Sequence, residues 1–158
     1  GAGTTGYSSD RNFQSERILK ISSNAASWID FFTIEQFEEG TTTPTTTNWG
    51  HCAFDIFIIG NQSGRGTTLR HVVGAVEWQN GAMAAYEFSN STTGSGAGNQ
   101  MDYQVIVDHG TRKATFQINP TTLTSTAFAG TISVKIVASR GDYNQTQDYV
   151  WSLATPFD

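Results

Sequence analysis

The sequence has few charged residues. Asp, Glu, Lys and Arg make up 15% of its 158 residues, whereas an average globular protein has about 25%. The formal net charge is −5, so we expect no nucleic-acid groove, which needs clustered Lys and Arg, and no attraction to an anionic membrane surface. No apolar run approaches the ~18 residues of a membrane-spanning helix, and we therefore expect no membrane insertion.

Cysteine is nearly absent, and metal-binding patterns are missing. Cys52 is the single cysteine, which excludes an intrachain disulfide, and its apolar neighbours indicate a core side chain. The sequence contains no H-x-H, H-E-x-x-H or C-x-x-C pattern and no calcium-type D-x-D-x-D-G spacing. We therefore expect no metal and no cofactor. The first ten residues have no signal-peptide pattern, which predicts a processed chain, an excised fragment or another export route.

Catalytic motifs are also missing. There is no G-x-S-x-G sequence, and Asp108-His109-Gly110 is typical of a hairpin turn in which Gly110 supplies a positive φ. Asp55 lies mid-strand among apolar residues, where we expect it to pair with Arg70 or Lys135 on a neighbouring strand rather than to act in catalysis. The sequence therefore predicts no catalytic residue and no enzyme.

The sequence is rich in β-strand patterns. The run Gly50–Gly60 is the most apolar stretch and predicts a central strand covered on both faces. Gly74, inside another predicted strand, indicates a bulge or a close approach. Turn residues separate the predicted strands, which are 17–21, 28–37, 50–60, 67–79, 83–88, 101–107, 113–118, 128–138 and 148–153. Eight to ten strands without a helix predict an all-β antiparallel sandwich or barrel.

The chain is expected to form one domain. Residues 1–14 are rich in Gly, Ser and Thr and are predicted to be a flexible arm or linker. Residues 15–158 are then the β-sandwich domain. Residues 40–48 (GTTTPTTTN) are too polar for a core and predict an exposed loop. Of the four tryptophans, we expect three to pack in the core or an interface, and Trp49 to be exposed.

The order of these segments resembles the C-terminal head domain of a phage tail fibre or a similar trimeric fibre adhesin. The resemblance rests on the Gly/Ser/Thr lead-in, RILKI, WIDFFTIEQF, the Thr-rich loop, GHCAFDIFIIG, TISVKIVAS and DYVWSL. It implies a jelly-roll sandwich like those of the tumour-necrosis-factor and C1q families. It also implies a homotrimer on the virion surface or cell exterior that binds a cell-surface glycan or protein without catalysis.

Recognition is expected in loops, because a rigid β scaffold usually presents its binding residues there. We predict stacking and hydrogen-bonding roles for Trp49, Asn61, Gln62, Arg65, Tyr143 and Asn144. Apolar residues on both faces of 28–37 and 50–59 exceed what one core needs, and the surplus is expected between subunits. Three alternatives stay open: a monomeric carbohydrate-binding module of a larger enzyme, a purely structural virion jelly roll, and a glycan-cleaving enzyme that uses Asp55 or Glu77.

Overall fold

The computed structural model describes residues 5–8, 15–23, 27–38, 49–62, 66–79, 82–95, 102–119, 128–141 and 147–153. Ten strands lie in these ranges: β1 (Thr5–Ser8), β2 (Ser15–Ser23), β3 (Ile29–Glu38), β4 (Gly50–Gln62), β5 (Thr67–Gln79), β6 (Ala82–Thr93), β7 (Asp102–Asp108), β8 (Lys113–Asn119), β9 (Phe128–Gly141) and β10 (Gln147–Leu153). The described residues include no helix that is long and apolar enough to cross a membrane. The Thr-rich loop predicted at 40–48 lies outside the described residues.

Two five-stranded sheets form a sandwich. Sheet A has the order β1-β10-β3-β8-β7, sheet B has the order β2-β9-β4-β5-β6, and every pair is antiparallel. Without β6 and β7, the orders β1-β10-β3-β8 and β2-β9-β4-β5 are those of an eight-stranded jelly roll. The predicted fold class is confirmed. Two further strands extend the sheets beyond this plan. Strand β6 is the edge strand beside β5 in sheet B, and strand β7 is the edge strand beside β8 in sheet A.

The core lies between the sheets and takes alternate residues from each central strand. On β4, Cys52, Phe54, Ile56 and Ile58 are all buried, because successive side chains of a strand point to opposite faces. The buried hydrophobic side chains are Phe31, Phe32, Ile34, Cys52, Phe54, Ile56, Ile58, Val72, Val76, Trp78, Ala114, Phe116, Ile118, Ile132, Val134 and Ile136. Burying a large one contributes roughly 1.5–3 kcal/mol. The cluster therefore supplies the main force that holds the two sheets together.

Phe116 is the centre of an aromatic cluster in this core. Its ring makes edge-to-face contacts with Phe31, Phe32 and Phe54, with centroid distances of 6.3, 5.7 and 4.9 Å. Such pairs contribute about 0.5–1.5 kcal/mol beyond the area that they bury. Phe54 comes from sheet B and the other three from sheet A, so the cluster joins the two layers.

Three β-bulges interrupt the regular ladders. Phe31 is the extra residue on β3, between Asp30 and Phe32. Because of this bulge, Phe31 and Phe32 are both buried although they are neighbours. Val137 on β9 and Phe88 on β6 are the other two extra residues.

Gly74 is where the chain approaches itself closely. It lies at the β5–β6 bulge, and a Cβ added to it would collide with the Tyr86 carbonyl oxygen and lie 3.0 Å from Phe54 Cζ. Only glycine fits without a shift of the neighbouring strand. The bulge and the close approach predicted from the sequence are both confirmed.

The strand Gly50–Gly60 is central, since β4 pairs with both β5 and β9. The prediction that both its faces are covered is wrong for the described residues. Phe57 and Ile59 on the outer face are 43% and 45% exposed. Sheet A covers the inner face, and no described residue forms a third layer over the outer one.

Several local predictions also need correction. Residues Thr5–Ser8 of the predicted arm form β1, which pairs with β10 and so belongs to the sandwich. Strand β6 continues to Thr93, through residues that we had expected in a loop. The turn after β7 is confirmed, but its positive φ of 54° belongs to Arg112 and not to Gly110. Trp28 is 41% exposed, so it does not pack in the core of this chain.

Candidate binding site at the β6 and β7 edge

The predicted site residues do not converge on one place within the described structure. Trp49 is 41% exposed, as expected, and its carbonyl oxygen accepts a hydrogen bond from Gln36 Nε2 at 3.1 Å. Asn61 is also exposed, but it lies at the opposite end of β4, about 40 Å away at ~3.3 Å per residue. The Gln62 side chain lies outside the described residues, and so do Arg65, Tyr143 and Asn144. Their binding roles remain a prediction.

A cleft opens between β6 and β7, where the edges of the two sheets lie side by side. Its volume is about 420 Å³, and its lining residues are Phe54, Ala85, Tyr86, Glu87, Tyr103, Gln104 and Val105. Phe54 comes from the core, and the other residues come from the two edge strands. The cleft therefore combines aromatic rings with the Glu87 carboxylate along one accessible edge, and it is the candidate binding site. The Gln104 amide donates to Gln117 Oε1 at 2.7 Å.

Tyr103 carries a buried hydroxyl in this cleft. Its oxygen is shielded from solvent and has no hydrogen-bond partner in the described structure. Burial, and secondarily the negative charge of Glu87, raises the pKa of Tyr103 well above its usual value. The hydroxyl is therefore neutral at any physiological pH.

Arg70 connects β5 to the residues beside the cleft. Its side chain is 11% exposed, donates to Asn90 Oδ1 at 2.8 Å and lies 3.9 Å from the Asp102 carboxylate. The amide of Asn90 donates in turn to Glu87 at 3.2 Å. Burial lowers the pKa of Arg70, and the charges of Asp102 and Glu87 partly offset this effect. Two carboxylates thus face one guanidinium, and the cluster carries a net negative charge.

A second depression lies on the outer side of β6 and is called the bowl below. It has a volume of about 370 Å³ and a mostly apolar lining formed by Ala53, Val73, Gly74, Ala75, Tyr86, Glu87 and Phe88. The bulges on β9 and β6 flank the β4–β5 pair at this level. Phe88, the extra residue on β6, is 89% exposed. Bulges re-aim side chains, and this one places a phenyl ring in solvent at the rim of the bowl.

Tyr86 separates the cleft from the bowl and lines both. Its ring is 52% exposed. The charge of Glu77, together with a hydrogen bond from the tyrosine hydroxyl to that carboxylate, raises the pKa of Tyr86. Gln79 also donates to Glu77. The network fixes an exposed aromatic face between a polar cleft and an apolar bowl, an arrangement suited to a ring that is apolar on one face and polar at its edges.

Asp55 forms a separate polar pair on the outer face of sheet B. It accepts a hydrogen bond from His71 Nε2 at 2.7 Å, and the two side chains are 42% and 39% exposed. Phe57 lies over the His71 ring at 5.1 Å. The prediction of Arg70 or Lys135 as the partner is wrong. Arg70 is the neighbour of His71 on β5, so its side chain points to the opposite, inner face of the sheet.

Among the described residues, no group of three His, Cys, Asp or Glu side chains is placed to hold a metal.

The sequence contained a partial signal for the candidate site. Tyr86 and Phe88 are two residues apart in a predicted strand, a spacing that usually puts both on one face. Their flanking Ala and Ser residues indicate an exposed strand. The position of β7 beside β6, which creates the cleft, depends on pairing with β8 and has no local signal.

No family model matches the sequence, and no curated protein matches it. Among solved structures, the tailspike protein of Acinetobacter phage vB_ApiP_P1 is similar to this chain with a TM-score of 0.38 and 10% sequence identity. The alignment covers 78% of this chain and 22% of the tailspike, so the chain matches about a fifth of the tailspike's length. At this TM-score the likeness carries no argument about function.

Proposed function

We propose that this chain is the non-catalytic receptor-binding head of a trimeric fibre and that it attaches to a cell-surface glycan. The observation that carries the proposal is the fixed, exposed ring of Tyr86 between the cleft and the bowl. Aromatic faces stack on the apolar faces of sugar rings, while carboxylates and amides bind their hydroxyl groups. Glu87, which lines the cleft, would supply such a polar contact.

Trimer formation is supported by the outer face of sheet B. Phe57 and Ile59 are exposed there beside the half-exposed Leu69 and Val73 of β5. Exposed apolar patches on rigid sheets usually mark interaction surfaces. The proposed site of action is the tip of a fibre on a virion, or another extracellular surface, where the homotrimer would present three copies of the β6–β7 edge.

A glycan array probed with the purified protein tests the binding proposal. We expect Tyr86→Ala to abolish binding and Tyr86→Phe, which keeps the ring, to retain most of it. Ile106→Ala is the matched control, because Ile106 is 48% exposed on the neighbouring edge strand and lines neither the cleft nor the bowl. A folded Tyr86→Ala variant that binds as well as the wild type would contradict this site.

Light scattering coupled to size-exclusion chromatography tests the assembly. A trimer at micromolar concentration is expected. A monomer would contradict the fibre proposal and favour a monomeric carbohydrate-binding module. A correctly assembled oligomer that binds neither an array nor whole host cells would favour a structural virion protein.

A further inference from the structure

We propose that the β6–β7 edge selects a neutral sugar that carries a methyl-bearing substituent, such as an acetamido group, over an acidic sugar. This inference rests on the proposed glycan-binding function and names the class of glycan. It depends on two features of the edge, the charge beside the cleft and the apolar lining of the bowl.

The charge argument begins with Glu87, which lines the cleft and the bowl alike. Asp102 adds a second carboxylate, whereas Arg70 is held by Asn90 and Asp102 and is largely shielded from solvent. A carboxylate on the ligand would therefore meet Glu87 without a free cation among the described residues of this edge to bind it. Two like charges about 5 Å apart in water reduce affinity roughly fourfold, and more where the site is partly dry.

The bowl argument concerns the other side of Tyr86. A sugar ring stacked on Tyr86 would direct one substituent over β6 towards Ala53, Val73 and Ala75, which are apolar. A hydroxyl group placed there would lose water without gaining a partner. A methyl group placed there would gain about fourfold in affinity, the value for burying one such group. The bowl therefore favours an acetamido or deoxy substituent over a hydroxyl.

Tyr103 forms part of the cleft wall on β7. Its hydroxyl oxygen is shielded from solvent, so a ligand in the cleft would contact this wall without reaching the oxygen. Glu87 on the cleft side of Tyr86 and the apolar bowl on the other side therefore match a ring with a polar group on one side and an apolar substituent on the other.

Isothermal titration with three soluble oligosaccharides tests the inference on the full chain. Chitotriose carries acetamido groups without charge, cellotriose has the same linkage with hydroxyl groups instead, and a hyaluronan tetrasaccharide alternates acetamido sugars with glucuronic acid. We expect chitotriose to bind about fourfold more tightly than either of the others. Glu87→Gln is expected to improve hyaluronan binding several-fold relative to chitotriose, and added salt to reduce the discrimination in the wild type.

The outcomes separate this inference from the proposed function. Tighter binding of hyaluronan than of chitotriose would overturn the charge argument, and equal binding of cellotriose and chitotriose would overturn the bowl argument. If none of the three binds while the glycan array shows binding that depends on Tyr86, the inference is wrong and the proposed function stands. If the array shows no binding either, the proposed function is also wrong.

Discussion

Substitution of Gly74 by alanine should destabilise the protein and disturb the candidate site together. The added Cβ would collide with the carbonyl oxygen of Tyr86 and lie 3.2 Å from the carbonyl carbon of the same residue. Both atoms belong to the backbone of β6, which is paired to β5 through a bulge at this level. A flexible side chain can rotate away from such a contact, whereas a paired strand has to move as a unit.

The Gly74→Ala substitution should lower the free energy of unfolding by about 1–3 kcal/mol, the usual effect of overpacking. For a chain of this size, 1 kcal/mol lowers Tm by about 2–4 °C, so Tm should fall by about 2–12 °C. Displacement of β6 also moves Tyr86 and Glu87, which line the cleft and the bowl. We therefore expect weaker glycan binding at temperatures where the Gly74→Ala variant is still folded.

Gly110→Ala is the matched control. A Cβ on Gly110 would meet only Asp108 Oδ1 at 3.4 Å, an ordinary contact. Both substitutions restrict the unfolded chain to a similar degree, a gain of about 0.4–1 kcal/mol, so the difference between the variants isolates the collision. Thermal and urea unfolding followed by circular dichroism measure it. A Gly74→Ala variant as stable as Gly110→Ala would refute the close approach of β5 and β6.

Three further predictions concern buried polar groups. Tyr103→Phe removes an unpartnered buried hydroxyl and should raise the free energy of unfolding by about 1 kcal/mol. A loss of stability in urea unfolding would contradict this. Arg112→Ala should lower the free energy of unfolding by about 3 kcal/mol. The reason is that the buried guanidinium donates to the Gln79 carbonyl at 2.7 Å and to Gln36 Oε1 at 2.9 Å. An unchanged urea midpoint would contradict this prediction. Burial raises the pKa of Cys52 and of Tyr103 in the native state, so the unfolded chain loses these protons first. Stability should therefore fall by ~1.4 kcal/mol per pH unit above about pH 8.5 as the unfolded-state thiol ionises, and more steeply above about pH 10 as the unfolded-state phenol ionises. Urea midpoints from pH 8 to 11 measure the slope, which Tyr103→Phe should reduce only above about pH 10.

Strand positions were the part of the fold that the sequence predicted best. The alternation over Thr67–Gln79 predicted strand β5 with the bounds that are observed, because most inner residues of this strand are apolar and turn residues flank the strand. The alternation over 28–37 breaks at Phe31, since a bulge shifts the phase by one residue. A bulge is set by the partner strand, so one strand's own pattern does not reveal it.

The environment of β4 shows why burial was harder to predict than strand position. Asp55, Phe57 and Ile59 all lie on its outer face, and the apolar run does not distinguish a face covered within the chain from a face left for another subunit. Asp55 on this face makes a half-exposed pair with His71 instead of the predicted pair with Arg70 or Lys135. Which sheet faces are covered depends on how the layers stack, a property of the whole chain.

The candidate site was not predicted from the sequence, because its residues come from strands and not from loops. The expectation that recognition resides in loops selected Trp49 and Asn61, which the structure separates along β4. The cleft instead needs Tyr86 of β6 beside Tyr103 of β7. These two strands belong to different sheets, and their proximity follows from the pairing of β5 with β6 and of β7 with β8.

The strands that build the candidate site are the two that a jelly roll does not need. Eight strands in the orders β1-β10-β3-β8 and β2-β9-β4-β5 already close the sandwich around the core, whereas β6 is exposed along most of its length. An exposed edge strand risks association with other chains. Met83 of β6 and Val105 of β7 pack against the core, whereas Tyr86 and Phe88 are largely exposed and contribute less to it. Binding sites are commonly added to a common fold, so substitutions of these two exposed residues are the ones expected to change the proposed recognition most while changing the core least.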